Sequence, residues 1–213
     1  MTEISRLLAG HRSFRQKYFV DNPELYRRLH QEGQSPKVLV IACSDSRVDP
    51  SIILGAEPGD LFVIRNVANI VPPYEHDLSS CHGTSAAIEY AVNHLQVEDI
   101  VILGHSHCGG IRALVDDREN DHTFIDNWIY IVEDAKFEAA HRHLDHEESC
   151  AFCEKAAIGI SLHNLETFPF VKEKLAAGKL RLHGWYFSIE TGTLETVETH
   201  LYHILIMGYI PCA

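Results

Sequence analysis

Val38-Leu39-Val40-Ile41-Ala42-Cys43-Ser44-Asp45-Ser46-Arg47 begins as an apolar run of strand character and ends with a thiol, a carboxylate and a guanidinium on alternate residues. A second run of the same shape, Ile100-Val101-Ile102-Leu103-Gly104, ends in His105-Ser106-His107-Cys108. Strands that are apolar on both faces belong inside a parallel sheet covered by helices. Open parallel sheets bind ligands beyond the carboxyl ends of their strands. Both runs place soft metal ligands at that end.

Working outward, the first 35 residues read as a peripheral helical arm, with a helix start at Asn22-Pro23-Glu24 and a stop at Gly33. Strands are expected at Lys37–Ala42, Leu61–Arg65, Ile100–Gly104 and Lys179–Ile189, and Gly192 should turn the last into a hairpin with Leu194–Val197. Helices are expected over Ser85–Leu95, Gly109–Val115 and about Glu148–Glu166, with a short one from Pro169 to Gly178. A long segment with Ile125, Trp128, Ile129, Val132, Ala135 and Ala139 at helical spacing lies between them. The expected class is α/β: about four parallel strands plus an antiparallel edge strand, flanked by helices. No repeat or linker interrupts the chain, so residues 1–213 are expected to form one domain, an arm over 1–35 and a core over 36–213.

The net charge of −12 opposes binding to nucleic acid or an anionic membrane surface. No apolar run nears the roughly 20 residues that span a bilayer. Without a recognisable signal sequence the expected location is cytoplasmic. There the six cysteines are metal ligands or inert thiols rather than disulfides. Cys81 and Cys212 are read as free thiols. Cys150-x-x-Cys153 has no second half-site nearby, which argues against a second metal.

If the two strand ends converge, Cys43, His105 and Cys108 form a set suited to zinc, which takes sulfur and nitrogen tetrahedrally. Asp45 is then either a fourth ligand, closing the site, or is held away, leaving that position to water. Arg47 offers a bidentate partner that would hold Asp45 off the metal and keep it ionised.

Cys43-Ser44-Asp45-Ser46-Arg47 together with Gly104-His105-Ser106-His107-Cys108-Gly109-Gly110 resembles the β-class carbonic anhydrases. Gly33-Gln34-Ser35-Pro36, Val63-Ile64-Arg65-Asn66-Val67-Ala68-Asn69 and Cys150-Ala151-Phe152-Cys153-Glu154 are similar to its plant-type subclass. The resemblance implies one Zn²⁺ per subunit on Cys43, His105 and Cys108, and a catalytic dyad of Asp45 and Arg47. It also implies a substrate pocket of Gln34, Phe62, Tyr90 and the Gly109 N–H, with parts supplied across a homodimer that could pair into a dimer of dimers; Val48 can add to the apolar wall that CO₂ needs.

The implied activity is reversible hydration of CO₂ to bicarbonate and a proton through zinc-bound hydroxide. Alternatives on the same constellation are hydrolysis of carbonyl sulfide or carbon disulfide, or a non-catalytic zinc or bicarbonate-binding module. His107 is either an exposed bystander or a proton shuttle. Some members carry a regulatory bicarbonate pocket of Trp, Arg and Tyr; the matching positions here are Val40, Arg65 and Phe187, and only the arginine is kept.

Overall fold

In the computed structural model, which describes residues 2–77, 82–116 and 123–197, the opening run forms strand β1 (Val38–Cys43). It lies between β2 (Leu61–Asn66) and β3 (Asp99–His105), followed by β4 (Arg181–Phe187) and β5 (Leu194–Val197) in the order β2-β1-β3-β4-β5. The first four strands pair in parallel, and β5 pairs antiparallel with β4. This is the expected mostly parallel sheet with an antiparallel edge. β4 is shorter than the expected Lys179–Ile189 because Ser188 already begins the hairpin: its N–H bonds to Thr193, and Gly192, at φ +72°, bonds back to Ser188.

Leu39, Ile41, Ile100 and Ile102 face one side of the sheet and pack with Ile88, Val92, Leu162, Leu165 and Val171 from the helices. Val40, Ala42, Val101 and Leu103 face the other, against Trp185 and Phe187. The central strands are apolar on both faces because both are closed to water.

The helices around this sheet are α3 (Pro50–Ile53), α4 (Gly83–Glu89), α5 (Gly109–Val115), α6 (Phe124–Ile129), α7 (Glu133–His141), α8 (His146–Thr167) and α9 (Pro169–Ala176). The helix expected from Ser85 to Leu95 is α4 running into a π-helical turn over Tyr90–Leu95. The long amphipathic segment is broken into α6 and α7 by a 3₁₀ turn at Tyr130–Val132. α3 was not foreseen, although Asp49-Pro50 is a good start: the Asp49 carboxylate caps the N–H groups of Ser51 and Ile52.

α8 opens with a reciprocal capping box between Asp145 and Glu148. It lies close across β3 and β4 because the facing positions are glycine. A Cβ on Gly104 would stand 2.6 Å from Ile158 Cδ1, and one on Gly184 would stand 2.9 Å from Ile158 Cγ2.

The chain divides into two compact units at Ser35–Pro36. The N-terminal unit comprises α1 (Glu3–Arg15), a π-helical turn (Gln16–Asp21) and α2 (Glu24–Glu32), which Gly33 ends at φ +78°. Phe14, Tyr18, Phe19 and Tyr26 cluster there, with ring centroids 4.7 to 6.1 Å apart. No helix among the described residues is long and apolar enough to cross a membrane.

Candidate metal centre

The register of the sheet assembles the centre. Ala42 pairs with Leu103, so Cys43 leaves β1 beside the end of β3, where His105 is the last strand residue. Cys108 then opens α5 as its N-cap residue. The three ligand atoms lie within 4.8 Å of one another. Cys43 Sγ and Cys108 Sγ are 3.9 Å apart, close to the roughly 3.8 Å edge of a tetrahedron with 2.3 Å zinc–sulfur bonds. Among the described residues this is the only such group of three or more metal-ligating side chains.

All three ligands are buried. His105 Nδ1 bonds to the Ser106 carbonyl at 2.9 Å, which makes it the protonated nitrogen and leaves a lone pair on Nε2. That buried Nε2 has no hydrogen-bond partner among the described residues and is close to both sulfurs. A buried polar atom left in this way costs free energy, and a cation bound to the sulfurs would satisfy it. The donor set therefore fits zinc.

A hydrogen bond joins the two sulfurs. A hydrogen bond from Cys108 draws Cys43 toward thiolate against the opposing effect of burial, with help from His105 and from the Asp45 and Ala68 N–H groups. The same bond, with burial, pushes Cys108 up. Burial works against protonation of His105, but the neighbouring Cys43 sulfur outweighs it and raises its pKa. Ala68 donates from a left-handed conformation, φ +63°, followed by Asn69 at φ +50°. Such backbone is costly for a side chain other than glycine, and the apolar run around Ala68 gave no sign of it.

Asp45 does not join the three ligands. Its Oδ1 accepts from Arg47 Nε and from the Arg47 backbone N–H, each at 2.9 Å, and its Oδ2 accepts from an Arg47 terminal nitrogen at 2.7 Å. The guanidinium holds this carboxyl well below the usual carboxylate range. Arg47 also donates to the carbonyl of His107 at 3.1 Å, which His107 presents from a left-handed φ of +56°.

Arg65 clamps the same loop from beneath, donating to the carbonyls of Cys43 (2.9 Å) and Asp45 (2.7 Å) and to the Asp49 carboxylate (3.0 Å). Of its two companions in the regulatory-pocket pattern, Val40 is fully buried in the sheet and Phe187 packs against it.

The residues named for the substrate pocket fall in three places. Val48 is buried in the apolar wall that holds Cys43 and Cys108, and Gly109 is the exposed first residue of α5. Phe62 and Tyr90 meet each other, with ring centroids 5.9 Å apart, but not this centre. Phe62 pairs with Leu39 whereas Asn66 pairs with Cys43, so Phe62 stands about 13 Å back along the sheet. Gln34 is exposed and belongs to the N-terminal unit.

Cys150 and Cys153 are free and buried; burial pushes both thiols up, Cys153 to about 12. Cys81 and Cys212 lie outside the described residues.

The carbonic anhydrase family model matches residues 38–194, the stretch from β1 to the start of β5 that holds all three candidate ligands. The chain belongs to the β-carbonic anhydrase family. It is 45% identical over 189 residues, 86% of its length, to the chloroplastic β carbonic anhydrase 5 of Arabidopsis thaliana, and it spans 61% of that protein. Among solved structures it is similar to the β-carbonic anhydrase CcaA, with a TM-score of 0.85, 36% identity, and coverage of 94% of this chain and 98% of that one. It is also similar to the tetrameric β-carbonic anhydrases of Sordaria macrospora, with a TM-score of 0.81, 32% identity, and coverage of 91% and 96%.

Proposed function

We propose that the chain catalyses the reversible hydration of CO₂ to bicarbonate and a proton, with Zn²⁺ held by Cys43, His105 and Cys108. The observation that carries this is the convergence of two buried thiols and an unpartnered imidazole nitrogen, in a member of this family, while Asp45 is engaged by Arg47. Zinc bound there would supply a Lewis acid that lowers the pKa of a coordinated water.

The residues of the chain do the rest. Arg47 keeps Asp45 ionised and turned from the sulfurs, so that its free lone pairs can accept a hydrogen bond from the attacking water and orient it. Val48 offers an apolar wall to CO₂, and the Gly109 N–H offers a donor to bicarbonate.

Phe62 and Tyr90 stand too far from the centre of their own chain, and we assign them, with Gln34, to the site of a second copy. The tetrameric relatives from Sordaria macrospora support a homo-oligomer.

The test is stopped-flow CO₂ hydration with zinc quantified, for the parent and for Asp45→Asn. The expected result is one zinc per chain in both, rapid hydration by the parent, and a loss of about 100-fold or more in the variant. A parent with stoichiometric zinc and no hydration above buffer would rule the reading out.

A further inference from the structure

A buried carboxylate behind the metal centre has no part in the chemistry described so far. Glu154, on α8, is 5% exposed. Its Oε1 accepts the backbone N–H of Cys108 at 2.9 Å, and its Oε2 accepts the hydroxyl of Tyr186, on β4, at 2.7 Å. Taking a carboxylate out of water is costly unless it is well hydrogen-bonded. The neighbouring Lys155 sits over the Tyr186 ring at 4.8 Å and is paired with Glu195. The carboxylate is thus held by two donors, one of which belongs to a ligand residue.

Cys108 is thereby fixed from two sides. Its N–H points into the α8 carboxylate, while its sulfur faces Cys43 and receives the N–H groups of Gly110 and Ile111 from the first turn of α5. A cavity of about 430 Å³, lined in part by Ser106, His107, Glu154 and Tyr186, lies on the side of the Glu154–Tyr186 contact. Without an acceptor at position 154, the buried Cys108 N–H would lose its partner, and the backbone that directs the sulfur would be free to shift.

We propose that Glu154 is a positioning residue for the metal centre, using its hydrogen bonds to Cys108 and Tyr186 to set the direction of the Cys108 sulfur. This rests on the assignment of Cys108 as a metal ligand. Glutamine at 154 would keep the arrangement, because its carbonyl can accept from Cys108 and its amide can donate to the Tyr186 oxygen. Leucine would remove the acceptor at similar volume.

The test uses the full-length protein loaded with cobalt(II) alone to record the thiolate-to-metal absorption band. A parallel sample is loaded with zinc(II) to measure affinity against a chelator. Glu154→Leu is expected to shift the band and weaken zinc about 10- to 100-fold, while Glu154→Gln stays within about 3-fold of the parent.

Glu154→Leu with the parent's band and affinity overturns the proposal. So does a loss in Glu154→Gln as large as that in Glu154→Leu, since charge rather than the hydrogen bond would then be responsible. If Glu154→Leu does not fold, Tyr186→Phe decides: a band shift with zinc weakened about 3- to 10-fold supports positioning, and an unchanged band and affinity overturn it. A parent that takes up no cobalt overturns the metal assignment itself, and the positioning role with it.

Discussion

Arg47 holds both oxygens of Asp45, at 2.9 and 2.7 Å, and reaches the His107 carbonyl at 3.1 Å with the same guanidinium. One side chain thus ties the loop after β1 to the loop after β3 and fixes the direction of the carboxylate that stands two residues after Cys43.

Arg47→Lys should loosen that hold, because an ammonium cannot match both carboxylate oxygens in a fixed fork. We expect kcat/KM for CO₂ hydration to fall roughly 10- to 100-fold at neutral pH, with zinc content unchanged. Stopped-flow kinetics with metal analysis on the same samples checks this.

His105→Ala should abolish stoichiometric zinc binding, since it leaves only two ligands. Added zinc should stabilise the parent by mass action, about 2.7 kcal/mol at 100 times the dissociation constant, and should leave the melting temperature of the variant almost unmoved. Thermal melts with and without zinc separate the two.

Two Gly→Ala substitutions should have opposite signs. At Gly184 the new methyl would meet Ile158, Leu162 and the Val197 carbonyl at 2.9 to 3.0 Å, a crowded site in which overpacking costs about 1–3 kcal/mol. At Gly10, inside α1 with open space around it, alanine should stabilise by up to about 1 kcal/mol. Urea denaturation of the two variants measures both.

Asp99 supplies a pH dependence away from the metal. Arg181 grips its carboxylate at 2.7 and 2.6 Å, His183 adds a bond at 2.7 Å, and the carboxyl is held below its ordinary value of 3.8. A depressed folded-state pKa contributes stability above the unfolded value and loses it as pH falls through the folded one. Arg181 is largely exposed, so the contribution is at most about 1 kcal/mol. In metal-free protein, Asp99→Asn should be less stable than the parent by that amount from about pH 8 to 5, with the gap closing below about pH 4. Urea titrations across that range test it.

The features legible from residue order alone are local. The apolar runs of β1 and β3 show continuous burial, and Gly33 and Gly192 mark their turns at positive φ as expected. The Cys, Asp, Arg and His-x-x-Cys spacings identify which groups leave the strand ends. These features depend on a residue and its near neighbours, so period and spacing suffice to read them.

Tertiary structure decided the rest. Cys43 and Cys108 are 65 positions apart in sequence, and only the β1–β3 pairing brings their sulfurs together. The same register sets Phe62, with the Tyr90 ring beside it, back from the centre of its own chain. Arg65 and Glu154, which brace the two ligand loops from β2 and α8, carry no local signal of that role, because their partners come from distant chain. The direction of the Asp45 carboxylate is likewise a packing outcome. A short flexible side chain between a thiol and a guanidinium can turn either way, and the His107 carbonyl helps fix Arg47 where it holds Asp45.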